Sequence, residues 1–236
     1  MSSEQLRNEG NKILSSISDG LPPVIQVSRL EKAITTYRNA LEKATSQSDR
    51  ASALKNIGVA SMKVAKVLSI KHEFLRVRYY LKETMESYSN SYYNGQSVKS
   101  IEWLIDIEEK MCTSFDAIEE IVEGVPFDKK MIIMEECAYS ANIESVRAKF
   151  CLRIAQLFYH QALFQLNVKN HVGALTSSND CYRPMEEASR YGKYDEYICS
   201  EIRILKEDLL FLTCRGESLQ ALSTGMILHI YLVLDF

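Results

Sequence analysis

The stretch EQLRNEGNKIL (residues 4–14), followed by AITTYRNAL (residues 33–41), decides how this chain is read. Ala33, Tyr37 and Ala40 fall at i, i+4 and i+7, so two small residues and one ring share a helix face. Gly10 sits in an upstream helical pattern, where a missing side chain lets a second helix approach closely. Small residues and one aromatic knob suit two antiparallel helices in tight contact.

Working outward, residues 4–17 read as a short helix, stopped by Asp19-Gly20 and Pro22-Pro23. A second helix runs from about Val24 to about Ala44, with Leu30, Ile34, Tyr37, Leu41 and Ala44 as its apolar stripe. TSQSD is a loop in which Ser48 or Asp49 caps the next helix. That third helix carries Leu54, Ile57, Ser61, Val64 and Leu68. The fourth carries Phe74, Val77, Leu81, Met85, Tyr88 and Tyr92, and stops at Asn94-Gly95 with glycine in a left-handed cap. The fifth spans about 97–123. Residues 128–168 are helical in pattern almost throughout, with a break expected near Tyr139–Asn142. A helix opens at Asn170-His171 or Gly173 and runs to about Arg190, with Pro184 as a kink or boundary. The last strong helix is about 194–214. No internal stretch alternates with period two, so the class is all-α, with about eight helices.

Composition agrees with a globular chain: 236 residues, 46% hydrophobic and 25% charged. A formal charge of −3 gives no bulk attraction to nucleic acid or to an anionic membrane. The six cysteines, at 112, 137, 151, 181, 199 and 214, form no CxxC pair and have no histidine at metal-ligand spacing. They read as reduced thiols, mostly small core residues. The polar start MSSEQLRNEG shows no secretory pattern, so a cytoplasmic or nuclear location is expected. The apolar end MILHIYLVLDF is too short to span a bilayer and reads as a segment packed on the last helix. The expected organisation is a single domain over 1–218 and an apolar tail over 219–236.

The hairpins align with one another. Ala33 follows Gly10 by 23 residues, Ser178 follows Ala155 by 23, and Thr84 follows Gly58 by 26. Each second anchor leads a tyrosine at +4 and a further residue at +7: Ala33-Tyr37-Ala40, Thr84-Tyr88-Ser91 and Ser178-Tyr182-Met185. This pattern resembles the tetratricopeptide-repeat (TPR) family, over residues 4–94 and again over 145–190. The chain departs from that family's period of about 34 residues, its hairpins being lengthened, and it lacks the usual terminal proline. The resemblance implies TPR-like stacked antiparallel hairpins, α-solenoid-like, with a groove that holds a partner peptide or protein.

EQLRNEGNKIL is similar to the opening helix of such repeats in co-chaperones, and ALKNIGVASMKVA to the opening helix of their second repeat. That resemblance implies a cluster of basic and amide side chains gripping a carboxylate, at Arg7, Asn11 and Asn56. The cluster also needs a basic pair four residues apart on the third opening helix. Lys99 there is followed by Trp103, which reads as core, so the pair is absent; Lys149 and Arg153 have the spacing one repeat later.

Three other constellations bear on function. Lys71, Arg78 and Lys82, beside Tyr79 and Tyr80, make a face able to meet phosphates or bases. Residues 102–123 carry eight carboxylates against Lys110 and read as a solvated acidic face. Arg153 and His160, in RIAQLFYH, resemble the short Arg–His motif of HEPN ribonucleases, which implies RNA cleavage as an alternative activity. No phosphate loop, nucleophile elbow or metal-ligand set is present in the sequence. The expectation is therefore a non-enzymatic adaptor that binds a protein or peptide, without cofactor, membrane or nucleic acid. A co-chaperone-like carboxylate clamp for chaperone C-terminal tails is the first alternative, and a HEPN-like nuclease the second. The candidate binding residues are Arg7, Asn11, Asn56, Lys149 and Arg153.

Overall fold

The computed structural model describes the backbone of residues 1–223 and the side chains of residues 1–216. Nine helices occupy the described residues: α1 (Ser3–Ser15), α2 (Pro23–Glu42), α3 (Gln47–Ser69), α4 (Phe74–Gly95), α5 (Ile101–Ile121), α6 (Phe127–Ser140), α7 (Glu144–Asn167), α8 (His171–Tyr191) and α9 (Glu196–Ser223). The expected class is the observed one. The ninth helix arises because the 128–168 pattern is two helices, parted at 141–143, which overlaps the break expected near Tyr139–Asn142. Ser89 of α4 takes up the loose ends there: its Oγ donates to the Ser140 carbonyl at 3.0 Å and accepts from the Asn142 amide at 2.9 Å. Buried backbone polar groups need such partners.

Helix starts follow local chemistry. Ser2 and Gln5 form a reciprocal capping box on α1. Ser46, rather than Ser48 or Asp49, caps α3; its Oγ accepts from the Asp49 amide at 3.1 Å. Ser100 caps α5 through the Trp103 amide at 3.3 Å, which sets Trp103 in the first turn. Pro22-Pro23 opens α2, where the missing N–H costs nothing.

The chain forms two compact units, residues 1–146 and 147–236, where the sequence reading draws one domain over 1–218. In the first unit, α1 and α2 run antiparallel, held where Ser3 Oγ donates to the Ala40 carbonyl at 2.8 Å and Arg29 donates to the Ser16 carbonyl at 3.0 Å. Between these ties a Cβ on Gly10 would lie 2.4 Å from Tyr37 Cε1. The α3–α4 hairpin repeats the arrangement: a Cβ on Gly58 would lie 2.8 Å from Tyr88 Cε1, and Ser91 Oγ donates to the Ala51 carbonyl at 2.7 Å. The bridging hydroxyl has moved to the other helix of the pair, yet it closes the same gap. Tyr37, Ala33, Ala40, Thr84, Tyr88 and Ser91 are all buried. Ion pairs and hydrogen bonds link α1 to α3 (Arg7–Asp49) and α3 to α5 (Lys55–Asp106). Others link α2 to α4 (Arg76–Glu31) and α4 to α6 (Arg78–Glu136). Odd-numbered helices thus form one layer of this unit and even-numbered helices the other.

Gly95 departs from expectation. It stays within α4, and its role is close approach: a Cβ there would lie 2.5 Å from Trp103 Cζ3.

In the second unit, α7 meets α8 through a different residue from the one the repeat spacing picks out. Tyr182 is 38% exposed, whereas Cys181 is fully buried and its Sγ donates to the Ala155 carbonyl at 3.1 Å. Ser178, Cys181 and Met185 form the buried stripe, so the third tyrosine of the pattern faces outward. Ile198, Ile202, Leu205, Leu209 and Leu212 of α9 are buried as a stripe four and three apart. Arg147 and Glu187 approach to 3.6 Å, with the guanidinium 4.8 Å over the Tyr191 ring. The tail MILHIYLVLDF, residues 226–236, lies outside the described residues.

A candidate anion site on the odd-numbered helices

Arg7, Asn11 and Asn56 come together across α1 and α3. Asn56 Nδ2 donates to Asn11 Oδ1 at 3.2 Å, and the same oxygen accepts the Tyr37 hydroxyl at 2.8 Å. Arg7 and Asn11 are four residues apart, hence on one face of α1. Arg7 is engaged from within: its Nη2 lies 2.8 Å from Asp49 Oδ1, and its buried Nε has no hydrogen-bond partner among the described residues. Asp49 is in turn held by Ser46, whose Oγ donates to Asp49 Oδ2 at 2.8 Å.

Two lysines that the sequence reading leaves out complete the cluster. Lys55 Nζ lies 2.6 Å from Asp106, which also pairs with Lys110 at 2.8 Å. Lys99 Nζ donates to Ser52 Oγ at 2.9 Å and forms no ion pair with a carboxylate among the described residues. Both ammoniums stand over the half-buried Trp103 ring, at 5.6 Å for Lys55 and 5.3 Å for Lys99. Trp103 is therefore part of this face as well as of the contact with Gly95. Partial burial holds Lys99 below the ordinary lysine range, and the nearby Arg7 and Lys55 charges push the same way against the pull of Asp49.

The charges of this face are Arg7, Lys55 and Lys99 against Asp49 and Asp106, a local excess of cation within a chain of net charge −3. Amide donors and an under-neutralised ammonium on adjoining helices are the groups that bind carboxylate oxygens. Asp106, Lys55 and Lys99 were hard to find by motif. Lys99 lies immediately before Ser100, the α5 cap, and four residues before Trp103, so the basic partner that the motif needs at i+4 is absent.

Lys149 and Arg153 are exposed on α7 and belong to the second unit. His160 is exposed on the same helix, its ring 5.7 Å from that of Tyr159. No group of three or more His, Cys, Asp or Glu able to hold a metal ion occurs among the described residues. The Lys71–Arg78–Lys82 face is largely internally paired: the Arg78 fork grips Glu136, Lys82 lies 3.6 Å from Glu86, and Tyr80 donates to Glu31 at 2.7 Å. In the acidic stretch Asp106 serves Lys55 and Lys110, while Glu102, Glu109, Asp116, Glu120 and Glu123 are exposed. No described helix is long and apolar enough to cross a membrane.

No family model matches the chain, and no curated protein matches it. Among solved structures it is similar to a computationally designed self-assembling cyclic protein homooligomer, at 12% identity over 92% of this chain and 95% of that one, with a TM-score of 0.42. It is also similar to a filament named DHF58, at 15% identity over the same shares and a TM-score of 0.32.

Proposed function

We propose that this chain is a non-enzymatic binding module of the TPR-like helical-repeat kind, and that the α1–α3–α5 face of its first unit receives the carboxylate end of a partner peptide. The observation that carries the reading is the ammonium of Lys99, held on Ser52 of α3 without a carboxylate partner among the described residues, on the helix that also carries Asn56, whose amide joins that of Asn11. Each charge-assisted hydrogen bond to a ligand carboxylate contributes about 1.5–3 kcal/mol. The sequence resemblance to co-chaperone repeats supports the same ligand chemistry, through Arg7, Asn11 and Asn56. It supplies Lys99 without the basic partner four residues on, where Trp103 stands, and it does not supply Lys55; these two lysines stand here in place of the incomplete pair. A peptide with acidic side chains near a free C-terminus is the partner that this face fits.

Calorimetric titration tests the proposal. An acidic peptide with a free carboxylate binds the intact chain, and Asn11→Ala combined with Asn56→Ala weakens it by about two orders of magnitude, the loss of two such bonds. Unchanged affinity in the double variant would remove the site.

A further inference from the structure

The tyrosine that fills the first hairpin has its hydroxyl on the site. We infer that Tyr37 is a positioning residue for the anion site: by donating to Asn11 Oδ1 it fixes the Asn11 amide with its Nδ2 donors turned toward the ligand. This inference rests on the proposed carboxylate-binding function.

Three observations carry it. First, Asn11 Oδ1 accepts from both Tyr37 Oη (2.8 Å) and Asn56 Nδ2 (3.2 Å). A carbonyl oxygen has two lone pairs, so both are in use; a flipped amide would set N–H against the Asn56 N–H and would require the Tyr37 hydroxyl to turn from donor to acceptor. Asn11 Nδ2 has no hydrogen-bond partner among the described residues and Asn11 is exposed, so its two N–H groups are the ones available to a ligand.

Second, the seat of the ring does not dictate the partner of the hydroxyl. In the α3–α4 hairpin Tyr88 occupies the corresponding seat against Gly58, but the residue that follows that glycine is Val59, and the Tyr88 hydroxyl is hydrogen-bonded to Ser114 instead. Ring and hydroxyl therefore do separable jobs in the first hairpin. Third, Tyr37 is fully buried and its ring is wedged against Gly10, so the donor cannot swing away. Burial also pushes the Tyr37 phenol up to about 12, which keeps it a donor throughout the neutral range.

The consequence is a coupling of fold to specificity. Gly10 admits the Tyr37 ring, the ring carries the hydroxyl to Asn11, and Asn11 presents donors but no acceptor. Such a site accepts a carboxylate and rejects a carboxamide, whose N–H groups would meet N–H groups.

The test uses the full chain and two probes: acetyl-Glu-Glu-Ala-Ala-Asp with a free C-terminal carboxylate, and its C-terminally amidated twin. The readout is the ratio of their affinities in wild type and in Tyr37→Phe, which keeps the ring and removes the hydroxyl. Wild type prefers the free acid by about tenfold or more, and Tyr37→Phe loses most of that preference. A merely structural role would weaken both probes alike and leave the ratio intact. If wild type discriminates and Tyr37→Phe discriminates equally, the positioning role is overturned while the carboxylate-binding reading stands. If wild type binds both probes equally or neither, that reading falls and the inference with it. Should Tyr37→Phe not fold, side-chain amide NMR of wild type decides. The inference predicts no nuclear Overhauser contact stronger than that of Asn56 between the Asn11 Nδ2 protons and the Tyr37 ring; a strong one would show the flipped amide and overturn it.

Discussion

Gly10 and Tyr37 compete for one space: a Cβ added at Gly10 would lie 2.4 Å from Cε1 and 2.8 Å from Cδ1 of the Tyr37 ring. In an open helix, glycine to alanine gains about 1 kcal/mol of helix propensity. Here the added methyl must displace a fully buried ring, and overpacking of that kind costs about 1–3 kcal/mol. Gly10→Ala is expected to destabilise the chain, read as a lower urea midpoint at unchanged slope. Gly58→Ala, at 2.8 Å from Tyr88 Cε1, is expected to cost less. A rise in midpoint for Gly10→Ala would mean that the two helices are not this close.

Lys99 makes the anion site pH-dependent in a defined direction. Its folded-state pKa lies below the ordinary lysine value, so between the two the unfolded chain holds a proton that the folded chain has released. The stability cost of burying this ammonium is therefore fully present below the folded value and is relieved as pH rises through the window. Ligand binding runs the other way, because a carboxylate favours the protonated amine. Affinity for an acidic peptide is expected to fall as pH rises through that window, with proton uptake seen as a buffer-dependent calorimetric enthalpy. Lys99→Arg, which stays charged, is expected to flatten the profile. A flat wild-type profile with no buffer dependence would count against Lys99 as a ligand group.

The six thiols divide by burial. Cys199 and Cys214 are exposed, while Cys137, Cys151 and Cys181 are buried, and burial pushes the Cys181 thiol up to about 12. Ellman's reagent is expected to label Cys199 and Cys214 promptly in the native chain and the three buried thiols only after denaturation. In the same region Tyr182→Ala is expected to change stability by no more than about 0.5 kcal/mol, the usual range for an exposed site. Cys181→Tyr, which forces a ring into that seat, is expected to destabilise strongly. Fast native labelling of Cys181 would contradict the packing of α7 on α8.

The sequence made the first two hairpins readable because glycine facing tyrosine is a demand of close approach that only a few residue types meet. Gly10 with Tyr37 and Gly58 with Tyr88 are seated as the spacing implies. The third pair misled for a physical reason. Tyr182 holds the +4 position after Ser178, but a one-residue difference in position turns a helical side chain by about 100°, and the buried position belongs to Cys181. Gly95 reads as a terminator from local sequence, yet it is set by Trp103, eight residues on, which no local rule sees. At the site, Arg7, Asn11 and Asn56 are legible through the resemblance of their two helices to the opening helices of co-chaperone repeats. Lys99 is legible only as half of an incomplete basic pair, because it lies in the turn before α5 and reaches Ser52 only through the packing of α5 beside α3. The Tyr37 ring is legible as a knob between the helices, but the bond of its hydroxyl is not, because its partner Asn11 lies across the hairpin, 26 residues away.

The α1–α3–α5 face is proposed to bind a carboxylate. Trp103 is the single tryptophan of the chain and stands under the ammoniums of Lys55 and Lys99, so its fluorescence reports on this face alone. Titration with acetyl-Glu-Glu-Ala-Ala-Asp is expected to give a saturable change in Trp103 emission that is lost in Lys99→Met and weakened by added salt. No change on titration, or an equal change in Lys99→Met, would contradict the account.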